Sequence, residues 1–172
     1  MKNPFYNGPQ LYAVRTDALT LSGKALLEIM QEVLKKGLPF RFCARGWSMA
    51  PFIRDGDIIT LSPIQSGSPG IGEIYAFVHP EMGKMVVHRA IAKFDKGLLF
   101  QGDSSLGKRD GIIPYGLLLG RVIQIERNKH RISLGLGLER YLIAWLSRIG
   151  FLTPIYLWLA SLRKGFSKKE QK

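Results

Sequence analysis

From residue 40 onward the apolar residues of this chain fall into short runs, each closed by Gly, Asp or Pro. That punctuation limits the fold more than any other feature of the sequence. Phe40, Phe42 and Ala44 alternate with Arg41, Cys43 and Arg45, the period of a half-buried strand. Further β-rich runs follow at 57–61, 73–78, 84–94, 97–101, 117–126 and 130–134. Short strands at such intervals read as an antiparallel barrel or sandwich built from hairpins. The 19 Gly and 9 Pro supply the turns, and 46% hydrophobic residues are enough to bury a core, which excludes wholesale disorder.

Two stretches depart from this pattern. Between residues 22 and 36, Leu26, Leu27, Ile29, Met30, Val33 and Leu34 recur at helical spacing, with Thr20 or Ser22 suited to cap the start and Gly37 the end. The run 141–162 is mostly Leu, Ile, Trp, Tyr, Phe and Ala, with Arg148 as its one charge and Pro154 as an interruption. It is long enough for a membrane span, which needs about 20 residues. A helix lying in the membrane interface, or one packed on protein, fits the same residues. The expected organisation is therefore an N-terminal segment with an amphipathic helix (1–37), a mainly β domain (38–134), and an apolar helix with a basic tail (135–172).

The chain carries 25 basic and 13 acidic residues, a net charge of +12. Half of that excess sits in residues 140–172, where Arg140, Arg148, Arg163, Lys164, Lys168, Lys169 and Lys172 face Glu170 alone. An anionic partner follows. Phosphate recognition wants clustered basic side chains, usually with base-reading or stacking groups. Here Arg41, Arg45, Lys108, Arg109, Arg127, Lys129 and Arg131 are scattered, and no helix-turn-helix pattern precedes the β region. The balance favours an anionic membrane surface met by residues 140–172 over nucleic acid. One Cys and three His lead us to expect no metal centre and no cofactor. The first residues lack the apolar core of a secretory signal peptide, so the expected location is membrane-associated through the C-terminal helix and otherwise cytoplasmic.

Three segments carry chemistry-bearing residues. The first is Gly46-Trp47-Ser48-Met49-Ala50-Pro51 with the polar turn Arg54-Asp55-Gly56-Asp57 behind it, a place to expose a hydroxyl at the end of a sheet. The second is Val86-Val87-His88-Arg89-Ala90-Ile91, where alternation puts His88 on one face with Val86 and Ala90, and Arg89 on the other with Val87 and Ile91. An imidazole with a reference pKa of about 6.5 accepts a hydroxyl proton near neutrality. The third is Gln101-Gly102-Asp103-Ser104-Ser105, reaching Asp110, and a carboxylate bonded to an imidazole fixes its tautomer. Taken singly, each has a plainer reading: a turn Ser bonded to nearby backbone, a satisfied core His, an Asp that forms a turn.

Their order changes that. GWSMAPFIRDGDII, GEIYAF, VVHRA and QGDSSLGKRD followed by LLLGRV, across residues 38–126, together resemble the signal peptidase I and LexA-like superfamily of serine peptidases. The resemblance implies a coiled antiparallel β-barrel of mainly β (α+β) class, with Ser48 as nucleophile. Bacterial signal peptidases and LexA-like proteins place Lys where this chain has His88. The closest resemblance is thus to the Ser-His type of archaea and the endoplasmic reticulum. Lys84 lies on the same strand face but about 13 Å away at about 3.3 Å per residue, too far to share the hydroxyl. The third member falls on Asp110, with Asp103 as the alternative. The resemblance further implies an extended peptide or precursor substrate, small residues before the cut, and docking of the peptide along the 72–77 edge, where Met49, Gly72, Ile74 and Ala76 would contact it. Gly46, where many signal peptidases have a hydroxyl residue, and Trp47, where a small one is frequent, depart from the pattern. Those departures leave a second reading open: a peptidase-shaped module that binds a peptide or a membrane without cutting.

Overall fold

Met30 and Leu34, one helical turn apart, are both buried, and they fix how the first helix meets the sheet. The computed structural model describes residues 12–13, 23–64, 69–104 and 108–150. Helix α1 spans Gly23–Lys35, within the run expected at 22–36. It ends as the sequence suggests. Gly37 takes φ +76°, Gly37 N–H bonds the Leu34 carbonyl (3.0 Å) and Leu38 N–H bonds the Val33 carbonyl (3.2 Å), the paired bonds of a glycine C-cap. The suggested caps, Thr20 and Ser22, lie outside the described residues.

The strands are β1 (Tyr12–Ala13), β2 (Phe40–Cys43), β3 (Ile58–Pro63), β4 (Ile74–Val78), β5 (Met85–Phe94), β6 (Gly97–Gln101), β7 (Arg109–Pro114), β8 (Leu118–Arg127) and β9 (His130–Ile132). They form one sheet in the order β1-β2-β3-β8-β4-β5-β6-β7, with β9 on β8. All pairings are antiparallel except β1 with β2. β4, β5, β6 and β7 pair antiparallel in chain order, with only residues 95 and 96 between β5 and β6.

Alternation along β4 sends its side chains into two apolar clusters. Ile74 and Ala76 join Met30, Leu34, Phe40, Phe42, Ile59, Leu61, Val122 and Ile125 under α1. Tyr75 and Phe77 join Ala90, Leu98, Phe100 and Ile113 on the opposite face. Helix α1 is thus part of the main core.

Two expectations need correction. The sheet is not closed into a barrel: among the described residues β1 pairs only with β2, and β7 only with β6. Both ends resist further pairing. β1 has two residues, and β7 carries a bulge at Gly111 and a Pro at position 114, which has no N–H to donate. Nor does the apolar run from 141 continue as one helix. Helix α2 spans Glu139–Arg148 and is ended by Gly150 at φ +78°, with Ile149 N–H on the Trp145 carbonyl and Gly150 N–H on the Ser147 carbonyl. Residues 151–172 lie outside the described ones. Among the described residues no helix is long and apolar enough to cross a membrane.

Candidate active site

Ser48 stands exposed in the turn between β2 and β3. That turn is tightly held. Ala50 N–H bonds the Trp47 carbonyl (3.0 Å), while Phe52 and Ile53 N–H both bond the Met49 carbonyl (3.1 and 3.0 Å). Behind it, Asp55 accepts from Gly46 N–H (2.8 Å), and the buried Asp57 accepts from Arg54 N–H (2.8 Å) and from Arg127 Nε (2.8 Å) and Nη2 (2.7 Å). The two acids of the RDGD turn therefore shape the loop that carries Ser48.

His88 lies on β5 opposite Tyr75 of β4, its ring edge-on to Phe77 at 6.4 Å between centroids. Its Nδ1 is 2.6 Å from Asp110 Oδ2, and both side chains are largely buried. The register shows how a residue two strands away reaches it. β6 ends at Gln101, opposite Arg89, so β6 places nothing beside His88. On β7 a bulge sets Asp110 and Gly111 against Phe100 alone, and Gly111 takes φ +83°. A bulge of this kind re-aims a side chain, here the carboxylate of Asp110.

Asp103, the alternative partner, has a different role. Its carboxylate accepts from Arg89 Nε (2.9 Å) and Nη2 (2.8 Å), with both side chains fully buried. Arg89 Nη1 donates to the carbonyls of Gly72 (2.8 Å) and Gly135 (2.9 Å), and the guanidinium lies over Phe52. Burial pushes the Asp103 carboxyl above the usual carboxylate range, against the opposing pull of the Arg89 charge. The next residue, Ser104, donates its N–H to the Ser48 carbonyl (2.9 Å) and its hydroxyl to the Trp47 carbonyl (2.6 Å). The Arg89–Asp103 pair thus ties the strand of His88 to the turn of Ser48. Alternation alone sets Arg89 on this strand face without showing what it holds; the signal for that role is an Arg inside an apolar β run, which must find partners when buried.

Ser48 and His88 line the same cavity, of about 430 Å³, whose apolar wall includes Leu26 of α1, Phe42, Met49, Ile53, Met85 and Val87. No hydrogen bond joins the two side chains. Met49 is buried in that wall. Lys84 is exposed and outside the lining. The contribution of Leu26 had no sequence signal, because nothing in the helix pattern says which sheet end it covers.

The expected docking edge is overturned. β4 pairs with β5 on one side and β8 on the other, so it has no free edge for a peptide. Ile74 and Ala76 are buried in the core. Gly72 N–H bonds the Ala90 carbonyl (2.7 Å), and its own carbonyl is taken by Arg89. Nearby Glu73 is structural as well. Burial works to raise its carboxyl, but hydrogen bonds from Tyr75 and Arg121 outweigh it and leave the group below the usual range. The open edge belongs to β5 instead. Ala90 exchanges bonds with Gly72 and Glu73 on the β4 side, so alternation turns the backbone groups of Met85 and Val87 the other way, where no described strand pairs with them.

No family model matches this chain, and no curated protein matches it.

Proposed function

We propose that this protein is a serine endopeptidase of the signal peptidase-like kind, using Ser48, His88 and Asp110. The observation that carries the reading is the 2.6 Å contact between His88 Nδ1 and Asp110 Oδ2 beside a cavity that Ser48 shares. A carboxylate only accepts, so Nδ1 carries the ring proton and Nε2 is left as an acceptor. In the proposed reaction Nε2 takes the Ser48 proton as Oγ attacks the peptide carbonyl, and an acyl-enzyme forms. The same proton then goes to the leaving amine, and water releases the acyl group by the reverse sequence. With Gly46 in place of a hydroxyl residue, the oxyanion is held by backbone N–H, that of Ser48 first. An extended peptide or precursor segment lies along Met85–Val87 rather than along β4, with its side chains in the apolar cavity.

The test is cleavage of a peptide library by the full chain. Wild type should cut, and Ser48→Ala or His88→Ala should lower kcat/KM by roughly 10⁴-fold or more. Unchanged cleavage in either variant rejects the mechanism. The absence of a Ser48–His88 hydrogen bond is what keeps the second reading, a silent peptide-binding module, in view. Peptide binding that survives Ser48→Ala, with no cleavage by wild type, would establish it.

A further inference from the structure

Helix α2 buries Ile143, Ala144 and Ser147, and Ile143 packs with Phe52 and Leu146. Its C-terminal end is fixed from the sheet. Gln101 Nε2 donates to the Ser147 carbonyl (3.2 Å) and Arg109 Nη2 to the Arg148 carbonyl (3.1 Å). The opposite side of the helix has no cover among the described residues. Leu138, Tyr141, Leu142, Trp145 and Ile149 are all exposed, Leu138 at 84%, Leu142 at 59% and Trp145 at 57%. Spacings of three, four, seven and eleven residues from Leu138 set them in one stripe along the helix. Leu134, also exposed, precedes the stripe.

We propose that this stripe docks on an anionic lipid surface, with α2 lying in the plane of the interface. Leu and Ile with a Trp and a Tyr is the composition of an interfacial helix, because the two ring types sit well where apolar and polar media meet. The ten residues of α2 rise about 15 Å, half the hydrocarbon thickness of about 30 Å, so the helix lies on the layer and does not cross it. Charge selects lipid over a second copy of the chain. Arg148 ends the helix, and the sequence beyond it adds Arg163, Lys164, Lys168, Lys169 and Lys172 against Glu170 alone. Two such copies, each at +12, repel, whereas an anionic leaflet attracts every one of those groups.

The experiment is co-sedimentation of the full chain with phosphatidylcholine vesicles, with and without phosphatidylserine. It is done in the Ser48→Ala background so that the outcome does not depend on peptidase activity. The chain should partition onto phosphatidylserine vesicles and less onto pure phosphatidylcholine, and more weakly at high salt. The pair Leu142→Glu and Trp145→Glu should weaken partition at least about tenfold with an unchanged melting temperature. Should that pair fail to fold, Leu138→Glu, at a side chain with almost no packing to lose, repeats the test. Equal partition by wild type and variant, no partition at all, or a dimer dispersed by these same substitutions would each overturn the proposal.

Discussion

Asp103 and Asp110 are seven positions apart in the chain and differ in what each carboxylate touches. Asp103 is locked to a buried guanidinium that also holds two backbone carbonyls, whereas Asp110 meets only the imidazole of His88 among the described residues. Their neutral amide variants should therefore fail in opposite ways. Asp103→Asn leaves the Arg89 charge buried without its counter-ion, a loss of about 3–5 kcal/mol. The melting temperature should fall and activity with it. In the proposed mechanism Asp110→Asn keeps the shape and removes only the group that fixes the imidazole tautomer. The melting temperature should stay near wild type while kcat drops roughly 10⁴-fold. Thermal melts alongside peptide cleavage separate the two, and a reversed pattern would exchange their roles. Sequence order alone left both acids open, because a Gly-Asp turn and a strand Asp read alike until the register is known.

At the scale of elements, the glycine C-cap of α1 and the strands with clear alternation were legible, since period and turn residues are local properties. β7 was not. Arg109, Asp110 and Gly111 read as the end of a polar loop, and Ile113 is the only buried apolar side chain in the strand. An edge strand with one buried residue has no period to detect. Yet β7 carries Asp110, so its docking on β6 is decisive. Gly97 packs against β7 with no room for a side chain: a Cβ there would lie 2.1 Å from the Ile113 carbonyl oxygen. Backbone must move to make room. Gly97→Ala should destabilise the fold by about 1–3 kcal/mol and lower cleavage beyond what the stability loss explains, as Asp110 shifts from His88. Denaturant melts and kcat/KM measured well below the melting point test this. Full activity in Gly97→Ala would show that β7 is placed independently of β6.

At the scale of the whole molecule, sheet closure and strand neighbours depend on long-range pairing that no local pattern encodes. Hairpins predict adjacent strands well, which is how the neighbouring places of β4, β5 and β6 follow from the sequence. The insertion of β8 between β3 and β4 does not follow, and it is this insertion that pairs β4 on both sides, while the free edge at Met85–Val87 exists because β6 stops opposite Arg89. The charge excess in residues 140–172 was visible from the start, but the exposed stripe of α2 emerges only once the fold shows which helix face is covered.

What joins these scales is the proposal that a hydroxyl on one turn, Ser48, is activated by an imidazole, His88, on a strand that is not its neighbour. A fluorophosphonate, which adds covalently to activated serines, tests that directly in the full chain. Peptide mass mapping should find the adduct on Ser48 in wild type, and His88→Ala should slow its formation by roughly 10³-fold or more. Equal labelling of Ser48 in both proteins, or no adduct on Ser48 in wild type, would contradict the account.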